Sequence, residues 1–272
     1  MKMKQIKGLS QIQTQYDAFF IDLWGVTHNG IQLYEGAIKV LKNLINLNKR
    51  YVLMSNAPRP SKNVEKFLLN LNMNKDLIRN IFTSGEAARR SLEKNNYGKN
   101  FYHLGPKRDR SLFEGFEKNS KKIQEADYIL CTGFLDEIEE SLDLYKKLLK
   151  NYIHLKMICT NPDLVVHRGN KKEYCAGKLA EIFKKLGGEV IYFGKPYPEI
   201  YNFCINDAKN ILVIGDNINT DIIGANKMKF DSLLITTGVH KEEFINMHNK
   251  NYDKVLEKYG ATASYYQEKL IW

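Results

Sequence analysis

No run of apolar residues in this 272-residue chain approaches the roughly 20 that a bilayer-spanning helix needs, so a helical membrane protein is not expected. Cysteine is scarce. The four, Cys131, Cys159, Cys175 and Cys204, lie far apart with no CxxC spacing, which argues for reduced, buried thiols and against a disulfide or zinc framework. His154 and His167 fall near Cys159 and Cys175 in sequence, but the spacing fits no common zinc pattern. There is no Pro/Ser-rich linker, internal repeat or low-complexity tract. Neither GxGxxG nor GxxxxGK[ST] occurs, so dinucleotide-binding and P-loop readings lack support. The first fifteen residues are rich in Lys and Gln and hold no apolar signal core, so a cytoplasmic location is expected.

What is present suits a globular protein of two lobes. Apolar residues make up 43% of the chain, with 16 Tyr and 13 Phe, enough for a sizeable core. The net charge of +10 comes from Lys spread throughout the chain. Without an aromatic-basic motif of the RNA-binding type it reads as a solvated surface, so no nucleic-acid partner is expected. A mildly positive field favours anionic substrates such as phosphate esters.

Short apolar runs alternate with helical periodicity. Residues 17–23, 51–54, 128–131, 155–159, 190–193, 211–214 and 232–235 read as strands. Residues 35–48 carry Ile38, Leu41, Leu44, Ile45 and Leu47 at helical spacing, and a further helix starts at Ser61 with Val64, Phe67, Leu68 and Leu71. This alternation predicts an α/β fold with parallel sheets and helices on both faces.

Four of these strands end in a polar functional group. Asp22 closes the first and opens Asp22-Leu23-Trp24-Gly25-Val26-Thr27-His28-Asn29-Gly30. Ser55 follows the second, in Ser55-Asn56-Ala57-Pro58-Arg59-Pro60. Lys195 stands in Phe193-Gly194-Lys195-Pro196, and Asp216 precedes Asp221 in a loop that follows Ile214-Gly215. Each alone has a bland reading as a cap, a turn or a surface charge. If the strands lie side by side, however, a carboxylate nucleophile, a hydroxyl, an ammonium and an acidic pair converge at one sheet edge. That set suits phosphoryl transfer.

In these motifs, and in Thr83-Ser84-Gly85-Glu86-Ala87 and Cys159-Thr160-Asn161-Pro162-Asp163, the chain resembles the haloacid dehalogenase (HAD) superfamily. It is most similar to the class IIA branch of 4-nitrophenyl phosphatase-like and phosphoglycolate phosphatase-like enzymes. The resemblance spans nearly the whole chain. It implies a Rossmann-like core over residues 1–82 and 188–272 and an inserted α/β (C2-type) cap over 83–187. It also implies a Mg²⁺-dependent phosphatase of small phosphorylated metabolites that works through an aspartyl-phosphate, and it allows a homodimer. By position, Asp22 would be the nucleophile and a Mg²⁺ ligand. Ser55, the Asn56 N–H and Ala57 would hold phosphate. Lys195 would pair with both the nucleophile and the phosphate. Asp216 would bind Mg²⁺, with Asp221 in support and the Trp24 backbone carbonyl as a further ligand. Asn161 and Arg168, in a loop after a strand, would reach the substrate from the cap, Arg168 by a forked hydrogen bond to a second anionic group.

The departure is Trp24, which stands where such phosphatases carry the Asp that acts as general acid and base. Indole is a donor only and has no accessible proton equilibrium. Three outcomes fit. His28, in the same loop, substitutes; or the substrate has a leaving group that needs no acid; or the protein binds a phosphorylated ligand and barely turns it over. The paired acids Asp216 and Asp221 argue against a dehalogenase, which does not need them.

Overall fold

The computed structural model describes residues 2–136, 141–169, 171–245 and 251–272. Its strands are β1 (Lys4–Gln5), β2 (Ala18–Asp22), β3 (Arg50–Ser55), β4 (Ile81–Thr83), β5 (Phe101–Leu104), β6 (Tyr128–Cys131), β7 (Lys156–Cys159), β8 (Val165–Arg168), β9 (Lys171–Tyr174), β10 (Glu189–Tyr192), β11 (Ile211–Gly215), β12 (Asp231–Ile235) and β13 (Tyr265–Gln267). Seven of them form one sheet in the order β1-β13-β12-β11-β2-β3-β4, and every neighbouring pair is parallel. A second parallel sheet has the order β10-β7-β6-β5, and β8 and β9 form an antiparallel hairpin. The architecture is the expected α/β one.

The large sheet is apolar on both faces because helices cover both, and its central strands therefore read as unbroken apolar runs. Successive side chains divide between two layers. Phe19, Ile21, Tyr51, Leu53, Leu212 and Ile214 pack with Val40, Leu41 and Leu44 of helix Glu35–Asn46. Ala18, Phe20, Val52, Met54, Ile211 and Val213 pack on the other face, in a cluster that also takes in Tyr128, Leu130 and Ile158 of the second sheet. One continuous core thus ties the two sheets together. Ser84 adds a polar tie. It lies fully buried at the start of helix Ser84–Leu92, and its hydroxyl is shared between the carbonyls of Thr160 (2.6 Å) and Phe193 (2.5 Å), which follow β7 and β10.

Several expectations need correction. Helix Glu35–Asn46 stops two residues early. Asn48 takes a positive φ of 52°, and Leu47 is exposed instead of joining the core. The strand after residue 188 pairs with β7 in the second sheet, so it lies beyond the expected break between cap and core at 187–188. Helix Ser84–Leu92, expected within the cap segment, lies beside the large sheet, with Arg90 over the rings of Phe82 and Phe203. Residues 167–168, read as loop, belong to β8. Among the described residues no helix is long and apolar enough to cross a membrane. All four cysteines are free and buried.

Replacing Ser84 by Ala leaves two buried carbonyls without a donor. We expect a loss of about 1–3 kcal/mol in urea unfolding. An unchanged midpoint would show that the apolar cluster alone holds the two sheets together.

Candidate active site

The chain leaves β2 in one direction toward β3 and β4, and returns at β11 to build β12 and β13 on the other side. The strand order therefore reverses between β2 and β11, and in open α/β sheets the crevice beyond the strand ends at such a switch point is where ligands bind. Ile214 pairs with Ile21, and Asp22 pairs with Met54. Asp22, Ser55 and Asp216 consequently emerge at nearly the same level on three adjacent strands.

Asp22, Asp216 and Asp221 are buried and offer carboxylate oxygens within 4.8 Å of one another. Lys195 completes the group. Its Nζ lies 2.6 Å from Asp22 Oδ1 and 2.7 Å from Asp221 Oδ1, and all three side chains are at most 10% exposed. The lysine arrives by a route that differs from expectation. It follows β10, at the edge of the second sheet, so only three of the four strand ends belong to the large sheet. The Asn56 side chain compensates for that distance in the chain. Its Oδ1 accepts from the Lys195 N–H (2.7 Å), and its Nδ2 donates to the Lys195 carbonyl (3.1 Å). Sequence reasoning assigned Asn56 only a backbone donor and missed this clamp.

The loop after β2 is wound tightly. Thr27 Oγ1 donates to the Asp22 carbonyl at 2.9 Å, and the Thr27 and His28 N–H groups both donate to the Leu23 carbonyl. Gly25 has φ +80°, and a Cβ there would run into the Asp216 carboxylate. A side chain at this position is excluded by both conformation and space. Asp216 Oδ2 also accepts the Val239 N–H at 2.7 Å.

Three buried carboxyls surround one ammonium, which contacts Asp22 and Asp221 but not Asp216, so the cluster holds more acid groups than cations. Burial pushes the Asp22 carboxyl up to about 7; Lys195 opposes the rise and the charge of Asp221 adds to it. Burial also raises Asp216 well above the carboxylate range, and Asp22 and Asp221 raise it further. For Lys195, burial works against the charged form, but Asp22 and Asp221 outweigh it and hold the ammonium protonated well past its ordinary range. An all-oxygen donor set with acid groups in excess fits a hard divalent cation such as Mg²⁺.

The other expected residues line the same cavity of about 460 Å³. Ser55 is buried and its Oγ accepts the Ala57 N–H at 3.1 Å, which leaves its own proton for a ligand. Asn161 spends its Oδ1 on the Asp163 N–H, 3.1 Å away. Asp163, in a motif noted in the sequence but not chosen as a site residue, accepts from the side-chain amides of Asn56 and Asn217, each at 3.2 Å. Burial lifts Asp163 to about 6, Lys195 opposing. Arg59 and Arg108 also line the cavity, and no motif marked Arg108.

Trp24 lies half-buried at the cavity edge. Its ring stacks on Phe67 (centroids 6.3 Å apart, planes 9° apart) and meets His28 edge-on at 5.0 Å. His28 is fully buried behind it, off the cavity. Its Nδ1 accepts the Gly30 N–H at 3.0 Å, its Nε2 has no partner among the described residues, and burial pulls it down to about 3. It is therefore not the substitute acid that the sequence allowed.

An all-parallel sheet with an acid–lysine cluster at its switch point and a second α/β layer above it defines a hydrolase-like class of site, and comparison with known proteins agrees. Residues 19–117 match the model of the haloacid dehalogenase-like hydrolases, and residues 192–261 match a second HAD-hydrolase model. The chain is 23% identical to 5'-nucleotidase YutF of Bacillus subtilis over 84% of this chain and 90% of that protein. It is 24% identical to phosphoglycolate phosphatase 1A of Arabidopsis thaliana, over 88% and 74% respectively. The crystal structure of a haloacid dehalogenase-like hydrolase from Brucella suis superposes with a TM-score of 0.85 at 28% identity, covering 98% of this chain and all of that one. The chain belongs to the haloacid dehalogenase-like hydrolases.

A carboxyl raised by folding favours the protonated folded state, so its stabilising contribution is complete below the ordinary value of 3.8 and is lost as pH rises through about 7. A divalent cation must displace that proton. Mg²⁺ is therefore expected to raise the melting temperature more at pH 8 than at pH 5.5, its affinity falling as pH drops below about 7. Thermal scans with and without Mg²⁺ decide this, and equal shifts at both pH values would contradict it.

Proposed function

We propose that this protein is a Mg²⁺-dependent phosphatase of a small phosphorylated metabolite, with Asp22 as the nucleophile and the second sheet as its cap. The observation that carries the proposal is Lys195 Nζ held between Asp22 and Asp221 at 2.6 and 2.7 Å, beside Asp216, at the floor of the cavity. The relatives named above as nucleotidase and phosphoglycolate phosphatase support the substrate class.

In this reading Asp22, Asp216 and the Trp24 carbonyl would hold Mg²⁺, with Asp221 in support. When bound, the ion offsets charge on the phosphoryl oxygens. Lys195 opposes the protonation of Asp22 that burial favours, and its ammonium also faces the incoming phosphate. The Ser55 hydroxyl and the Asn56 N–H donate to phosphate oxygens. Asn56 fixes the Lys195 backbone, so the ammonium is in place before substrate arrives. Asn161 and Arg168 bring the second sheet and the β8–β9 hairpin over the cavity, which limits access of water.

Trp24 favours a second reading, a phospholigand-binding protein with little turnover. A panel of phosphomonoesters, aryl phosphates and acyl phosphates with Mg²⁺ separates the two. We expect phosphate release from members of the panel and none from Asp22→Asn. Trp24→Asp should restore a proton donor and raise turnover of alkyl phosphates by about 10²–10⁴-fold. No release from any compound, with Mg²⁺ still bound, would favour the binder.

A further inference from the structure

The place of the missing acid is filled, and what fills it bears on the leaving group. The Trp24 ring is fixed by Phe67 on one side, His28 at its edge and Gly30 beneath it, where a Cβ would collide with the indole. The Arg168 guanidinium carbon lies 5.2 Å from the Trp24 ring centroid. Such a contact holds a cation over an aromatic face. The hairpin that carries Arg168 is tied to the nucleophile loop, because the Gly169 N–H donates to the Asn29 carbonyl at 3.0 Å. Arg168 spends its Nε on Glu173, at 3.3 and 3.4 Å from the two carboxylate oxygens. Among the described residues its Nη1 and Nη2 have no hydrogen-bond partner, and the side chain lines the cavity.

An indole and a guanidinium are both donors that keep their protons at any physiological pH. They can receive a negative charge but cannot neutralise it by proton transfer. We propose that the substrate is a phosphoryl compound whose leaving group departs as a stable anion, a mixed carboxylic–phosphoric anhydride or a phosphoanhydride, and that Arg168 on Trp24 receives that anion. The inference rests on the phosphatase reading. In the first half, an Asp22 oxygen bonds to phosphorus while the bond from phosphorus to the leaving oxygen breaks. The electron pair stays on that oxygen, giving a carboxylate or a phosphate and requiring no proton. In the second half, a water oxygen attacks phosphorus and the Asp22–phosphorus bond breaks. Both water protons leave on dihydrogen phosphate, and the Asp22 carboxylate is restored.

The test is a leaving-group series with Mg²⁺: aryl phosphates of graded phenol acidity, an alkyl phosphate, acetyl phosphate and ADP. We expect kcat/KM to fall steeply as the leaving group becomes more basic, with acetyl phosphate or ADP well above the alkyl ester; which of the two is faster identifies the anhydride. Arg168→Gln should lower kcat/KM for the anhydride about 10²-fold and steepen the dependence, with Arg168→Lys recovering part of the loss. Trp24→Asp should flatten the dependence by rescuing the basic leaving groups. A flat dependence in the wild type overturns the inference and leaves the phosphatase reading standing. So does an Arg168→Gln loss that is equal for all leaving groups, which would mark Arg168 as a cap fastener. No phosphate release from any compound overturns both.

Discussion

Lys195 is the residue on which the rest of the site depends. Three carboxylates at the end of a parallel sheet, all at most 8% exposed, would repel one another and take up protons. A single ammonium, 2.6 Å from Asp22 and 2.7 Å from Asp221, holds them in one arrangement. A buried ion pair is weak support for stability in itself, because removing both charges from water offsets much of the attraction. Its value here is positional. The lysine follows the edge strand of the second sheet, so the pair also ties the second sheet to the switch point of the first. The two hydrogen bonds between the Asn56 amide and the Lys195 backbone, one accepted and one donated by Asn56, and the shared Ser84 hydroxyl between the β7 and β10 ends, serve the same end. The acid groups in excess of the one ammonium make the site receptive to a hard cation.

The loop after Asp22 shows a second constraint, set by aromatic packing. Trp24 is anchored by Phe67 and His28, and a glycine below leaves room for the ring. The histidine that looked like a reserve acid is part of that anchor, sealed off and held neutral. Position 24 therefore presents a fixed aromatic surface, and the cationic partner on that surface comes from the β8–β9 hairpin.

Much of this was legible in the sequence. The strand ends at Asp22, Ser55 and Asp216 were readable because buried parallel strands are continuous apolar runs that stop abruptly at polar residues. The fold class followed from their alternation with helices. Strands β1, β4, β5, β8, β9 and β13 were not read: Lys4–Gln5 is exposed and polar, Val165–Arg168 is half-buried and mixed, Lys171–Tyr174 is mostly exposed, and Ile81–Thr83, Phe101–Leu104 and Tyr265–Gln267 are only three or four residues long. The sheet whose edge strand leads to Lys195 was also hidden: the apolar pattern marks a strand but not its neighbour, and only pairing with β7 assigns β10. The Asn56 clamp spans 139 positions in sequence, and the burial of His28 depends on Phe67, a helix away. Neither contact leaves a local signal.

The central claim is that Asp22, paired with Lys195, accepts a phosphoryl group. With no carboxylate at position 24 to activate water, the phosphorylated form should persist long enough to be captured. The direct measurement is intact-mass and peptide analysis of protein quenched in acid during turnover of an acyl phosphate with Mg²⁺. The result expected is one added phosphoryl group on the peptide containing Asp22, absent from Asp22→Asn. Phosphate released in repeated turnovers without any such adduct, or an adduct that persists in Asp22→Asn, would contradict it.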